Sequence, residues 1–100
     1  MGCHIYITDT VDFDVPSVPS VRVPSTYEGT RFFLRDEAHK FVKQIRAELE
    51  CPELTHEQRV HVLERAWRDE PIEQRERDAI NLDWIDEIID SPRFGKLSCS

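Results

Sequence analysis

Residues 54–71 constrain the fold more tightly than any other stretch of the chain. Leu54 is followed nine residues on by Leu63 and four further by Trp67, and Arg68-Asp69-Glu70-Pro71 comes next. Thr55-His56-Glu57-Gln58 fits a capping box, in which hydroxyl and amide each satisfy a backbone N–H left unpaired at a helix start. Val60, Leu63 and Trp67 share one face of the helix that begins at Thr55. Pro71 stands early in the first turn of the next helix, where a missing N–H costs nothing. The segment reads as two helices joined by a tight turn. Trp67 sits at the elbow, where its ring can pack against both.

The remaining text supplies a further helix, an arm and a tail. From about Arg31 to Glu50, Leu34, Ala38, Phe41, Val42, Ile45 and Leu49 form an apolar stripe at helical spacing, with Thr30 as the N-cap. Cys51-Pro52 ends that helix, because the residue before proline is pushed out of the helical region. The last helix carries Ile72, Ala79, Ile80, Trp84, Ile85, Ile88 and Ile89 and stops near Asp90-Ser91-Pro92. Its broad apolar face from Ile80 to Ile89 is wide enough to cover the N-terminal arm as well. Residues 1–29 read as an extended Val/Pro/Ser arm. Ile5-Tyr6-Ile7-Thr8 is β-prone, Val11 to Val15 alternates apolar and acidic residues, and Val15 to Ser25 favours polyproline II. Residues 91–100 read as a flexible tail. The expectation is an all-α fold: a three-helix body over residues 30–90, preceded by the arm, with Leu54, Leu63, Trp67 and Trp84 in its core.

Composition narrows the class. One hundred residues with 39% hydrophobic and 33% charged side chains suit one soluble domain. No apolar run approaches the roughly 18–20 residues needed to cross a bilayer, so no membrane partner is expected. The N-terminus lacks the pattern of a secretory signal. Cys3, Cys51 and Cys99 are odd in number and far apart, so no disulfide framework is expected and the nucleus or cytoplasm is the natural compartment. Net charge is −7, and it is uneven: −3 over residues 1–30, +1 over 31–50 and −5 over 51–100. A field of that sign slows encounter with nucleic acid.

Nothing in the chain asks for an enzyme or a cofactor. His39, His56 and His61 lack metal-ligand spacing. Glu57 and His61 are a surface pair four apart. Three glycines leave little room for a phosphate loop, and no base marks Cys51 as a nucleophile.

Three helices, an extended arm and a tryptophan at the second turn are the points at which the chain resembles the HMG box. The match is best over residues 54–80, where Leu54, Leu63 and Trp67 precede a Trp-Arg-Asp-Glu-Pro run similar to the mating-type-regulator branch of that family. The resemblance implies an L-shaped bundle that binds the minor groove, inserts an apolar wedge and bends the duplex. Phe32, Phe33 and Leu34 then stand where the wedge belongs, and Arg31, Arg35, Lys40, Lys43 and Arg46 where phosphate contacts belong. Ordinary core for the first set, and a solvated helix face for the second, explain the same residues. The chain departs from the family in its acidic last helix, at Asp83, Asp86, Glu87 and Asp90, and in carrying few basic residues in arm and tail.

Two functions follow from this reading. The resemblance implies a DNA-binding and DNA-bending or chromatin-associated protein. The charge implies an acidic protein-interaction module, an adaptor or a mimic of nucleic-acid charge, that docks a protein partner through the Val/Pro/Ser arm or the acidic last helix. A continuous basic surface over the first helix and the concave side of the L favours DNA, and an acidic concave side excludes it.

Overall fold

The β-prone run near the N-terminus is one strand of a four-stranded sheet. The computed structural model describes residues 2–9, 17–92 and 94–100. Along the chain these form β1 (Gly2–Asp9), β2 (Ser17–Pro24), a 3-10 turn (Ser25–Tyr27), β3 (Arg31–Phe32), α1 (Arg35–Glu48), α2 (His56–Trp67), α3 (Gln74–Ile89) and β4 (Phe94–Cys99). The strands lie in the order β2-β1-β4-β3, and every pair is antiparallel.

The expected all-α bundle is therefore wrong, and with it the L-shaped arrangement that the resemblance implied. The fold is mixed, with one sheet and three helices. Its cause is visible in the register. Cys3, Ile5 and Ile7 of β1 point into the core, as do Val21 and Val23 of β2, while His4, Ser20 and Arg22 point out. That is the period-2 pattern of a sheet with one covered face. Where a flexible tail was expected, β4 pairs Leu97 with Ile7 and Cys99 with Ile5 and buries Phe94, Leu97 and Cys99. β2 lies at the sheet edge, which is where a strand holding Pro19 and Pro24 can be accommodated. The Val11–Val15 alternation lies outside the described residues.

α1 and α3 cover the inner face of the sheet. Ala38, Phe41, Val42 and Ile45 of α1 and Leu82, Ile85 and Ile89 of α3 join the strand residues in one cluster. The breadth of the apolar face on α3 is used as the sequence indicated, since α3 packs on β2 and β1. α1 begins later than expected. Leu34, with an extended backbone, is its N-cap instead of Thr30, because Arg31 and Phe32 pair with Ser98 and Leu97 of β4.

The expected capping box on α2 is present. Gln58 N–H donates to Thr55 Oγ1 at 3.2 Å, and Thr55 N–H to Gln58 Oε1 at 2.9 Å. α1 and α2 end alike, each with a residue in the left-handed region, Glu50 at φ 53° and Asp69 at φ 58°. Behind them Cys51 N–H bonds to Arg46 O and Glu70 N–H to Arg65 O, so each helix closes in a Schellman motif. Pro71 lies in the connection ahead of α3, which starts at Gln74 and has Glu73 as its N-cap. No helix among the described residues is long and apolar enough to cross a membrane.

Candidate functional site

α3 is apolar on two sides. At 100° per residue, Leu82, Ile85 and Ile89 fall together and face the sheet, while Ile80 and Trp84 fall on the flank toward α2. α2 offers little to that flank, for Val62 is its one buried residue. Leu63, Val60 and Trp67 occupy an adjoining arc of α2 and stay in solvent. Leu63 is 52% exposed and Trp67 90%, and across the furrow Trp84 is 48% exposed.

The result is an open groove between the two helices. Its wider part, about 550 Å³, is floored by Val62, Leu63, Ala66, Ile72 and Ile80, with Asp69, Glu70, Arg77 and Asn81 at the rim. It continues past Leu63 and Ile80 into a second part of about 270 Å³, bounded by Trp84, Arg59 and Glu87. Leu63, Trp67 and Trp84 thus lie outside the core in which they were expected, and so does Leu54, half-buried in a cleft with His39, Lys43 and Arg46. The reason is that α2 lies against α3 and makes no substantial contact with the sheet. A helix with an apolar arc needs a second layer to cover it, and the sheet is already covered by α1 and α3.

Charge surrounds this groove unevenly. Residues 56–90 hold eleven carboxylates against five arginines, nearly the whole net charge of the chain. Three of the five arginines join elements. Arg59 reaches Asp83 at 3.4 Å and Glu87 at 3.5 Å, Arg65 reaches Glu76 at 3.4 Å, and Arg75 reaches Glu50 at 3.3 Å. Arg65 also donates to the Pro71 carbonyl at 2.8 Å, which fixes the turn after Trp67. Among the described residues, Asp69 and Glu70 at the rim enter no ion pair. The groove is therefore an apolar strip in a negative field.

The seam on the other side of α3 is polar. Arg46, with 14% of its side chain exposed, meets Asp83 at 2.6 Å and Asp86 at 3.8 Å. His39 lies between Asp86, 2.9 Å from Nδ1, and Asp90, 2.8 Å from Nε2. A ring that donates from both nitrogens carries both protons, so the pair of carboxylates favours the imidazolium. Hydrogen bonds to Asp90 and then Asp86 accordingly raise the His39 pKa above its ordinary value. Arg35 donates to the carbonyls of Ile89 and Ser91 at 3.0 and 3.1 Å, satisfying the C-terminal end of α3.

These contacts decide where the residues proposed for phosphate and wedge contact stand. Arg35 and Arg46 are committed to α3. Lys40 and Lys43 are exposed on α1, and Arg31 is exposed on β3. Phe32 stacks on Phe41 with ring centroids 4.4 Å apart, whereas Phe33 and Leu34 are 65% and 63% exposed. Of the five cations, Arg35 and Arg46 are thus turned to α3, while Arg31, Lys40 and Lys43 remain at the surface. The acidic residues of α3 lie directly beside the cations of α1.

The α2–α3 groove itself escaped the sequence reading. Its signal was the doubled apolar face of α3, too wide for one layer to use. Comparisons of the chain with protein-family models, with curated proteins and with solved structures returned no match.

Proposed function

We propose that the chain is a protein-interaction module, and that the α2–α3 groove receives a basic amphipathic helix from a partner protein. The observation that carries this is an open apolar strip lined by Leu63, Ile80 and Trp84, set in the segment that holds nearly all the net negative charge. Exposed tryptophans beside aliphatic residues are the side chains that dominate binding energy at protein interfaces. An amphipathic helix is the shape that fills a furrow between two helices. The charge selects its other face: lysines and arginines would meet Asp69, Glu70 and Glu87. The same charge argues against a second copy of this chain as the occupant, because two such hairpins repel one another. Less favours the DNA reading, since Arg35 and Arg46 of α1 are engaged with α3 and the residues just beyond it.

Tryptophan fluorescence tests the proposal. The probe is a leucine–lysine amphipathic peptide of about four helical turns, compared with a scrambled peptide of identical composition. The expected result is a blue shift and a dissociation constant on the order of micromolar for the amphipathic peptide only. Leu63→Asp or Trp84→Ala should weaken it by roughly tenfold or more. Equal binding of the scrambled peptide, or an affinity indifferent to Leu63→Asp, would overturn the groove as the docking surface.

A further inference from the structure

The two most widely separated cysteines of the chain meet inside the core. Cys3 on β1 and Cys99 on β4 are 96 positions apart, and their sulfurs lie 2.6 Å from one another. Both are buried, at 4% and 1% exposure. The strand pairing makes this meeting a consequence of register. Ile5 lies opposite Cys99, so Cys3, two residues before Ile5, is on the same face and diagonal to Cys99. His4 and Ser100 lock that register by exchanging both backbone hydrogen bonds, at 2.8 and 3.0 Å. Gly2 lets the end of β1 lie close against β2, since a Cβ there would come within 2.5 Å of the Val23 carbonyl oxygen. The Cys3 thiol is oriented further by donating to the Pro24 carbonyl at 3.3 Å.

We propose that Cys3 and Cys99 are a disulfide-forming pair, which a low-molecular-weight disulfide oxidises to a covalent staple between β1 and β4. The separation of 2.6 Å is only about half an ångström beyond an S–S bond of about 2.03–2.05 Å, so the two sulfurs already stand nearly at bonding distance. One thiolate attacks the small disulfide, breaks its S–S bond and releases one small thiol. The second protein sulfur then attacks the mixed disulfide, forms the Cys3–Cys99 bond and releases the other small thiol. Two protein thiols become one disulfide, one small disulfide becomes two thiols, and the two protons end on those thiols. Burial, and then the neighbouring Cys3, push the Cys99 thiol up to about 12. Attack therefore proceeds during folding or when the strand ends part, and the finished bond is shielded in the same way. Cys51, half-buried after α1, has no cysteine within bonding reach among the described residues and stays a thiol.

The consequence is a ring that encloses nearly the whole chain. A cross-link over so long a loop removes a large share of the unfolded chain's freedom. The test folds the full-length protein with graded ratios of oxidised to reduced glutathione, alkylates free thiols and measures intact mass and thermal unfolding. The expected product carries one alkyl group, on Cys51, and melts roughly 10–20 °C above the reduced form. Cys51→Ser should close equally well and carry none, while Cys3→Ser and Cys99→Ser should lose the oxidation-dependent shift. Three alkyl groups at every ratio, a bond that includes Cys51, or a closed form that melts no higher than the reduced one would each overturn the staple.

Discussion

α1 and α2 both lie beside α3, yet α1 buries Ala38, Phe41, Val42 and Ile45 while α2 buries Val62 alone. The two seams differ as much as the helices. Between α1 and α3 an apolar floor is fenced by Arg46, His39 and Arg35, each holding acceptors on or just beyond α3. Between α2 and α3 the ion pairs of Arg59 and Arg65 flank apolar residues that remain in solvent. The lesson concerns where a small domain keeps its binding surface. The element least used by the core is the one free to present an apolar face.

The sharpest way to break this comparison is to shorten side chains on both flanks of α3. Ile85 is fully buried against the sheet, and Ile85→Ala should cost about 3 kcal/mol through lost burial and the cavity it leaves. Leu63→Ala on the groove side should stay within roughly 0.5 kcal/mol. Urea unfolding midpoints for the two variants settle the matter. Comparable losses would place α2 in the cooperative core and remove the grounds for treating its apolar arc as a surface.

The polar contacts offer the next largest contrast. Asp83, 22% exposed, accepts from Arg46 at 2.6 Å and from Arg59 at 3.4 Å, and so joins all three helices. Asp83→Ala should cost about 2 kcal/mol, because it leaves the largely buried Arg46 short of a counterion. Glu64→Ala removes an exposed pair with Arg68 one turn away on α2, at 3.5 Å, and should change stability by no more than about 0.5 kcal/mol. Denaturant titration separates the two readily, and equal effects would mean the α1–α3 seam is no more buried than the surface.

Much of this architecture is local, and the local part was legible. The stripe from Ala38 to Ile45, the capping box at Thr55 and the end of α3 near Asp90 each depend on residues within a few turns of one another. The sheet was not legible because its central pair joins residues 5 and 99. A six-residue segment such as Phe94 to Cys99 becomes a strand through a partner elsewhere, and no window around it contains that partner. The prolines of β2 misled for a related reason, since proline excludes a central strand but permits an edge. Trp67 shows the limit on the helical side. An apolar stripe establishes that a helix has something to cover, and only the assembled layers show whether anything covers it.

Protonation of His39 sharpens the comparison further, because only the α1–α3 seam carries such a group. Asp86 and Asp90 face it from α3 and its C-cap, and Arg46 lies 3.8 Å from Asp86 in the same cluster. The folded pKa lies above the ordinary 6.5. Its contribution to stability is therefore fully present below about 6.5 and is lost as pH rises through the folded value. The gap in urea midpoint between the wild type and His39→Gln should narrow from about pH 6 to about pH 8.5. A gap that is constant, or that widens with pH, would show that the clasp does not act through the imidazolium. Peptide binding in the α2–α3 groove should be unaffected by His39→Gln at either pH.

The smallest expected effect compares the ends of the same two helices. Both Schellman motifs place a residue with a side chain at positive φ, Glu50 after α1 and Asp69 after α2. Aspartate enters the left-handed region more readily than glutamate, so the cost of that conformation is greater at Glu50. Glu50→Gly removes the strain and also an exposed ion pair with Arg75 at 3.3 Å, an interaction worth about 0–1 kcal/mol. The balance should favour the variant by roughly 0.5 kcal/mol, a rise of about 2–4 °C in a thermal scan. Asp69→Gly should gain less, because aspartate gives up less strain and no ion pair is lost with it. If Glu50→Gly instead lowered the melting temperature, the Arg75 pair would be the stronger term, and the cap of α1 would be held by contact with α3 and not by its own backbone.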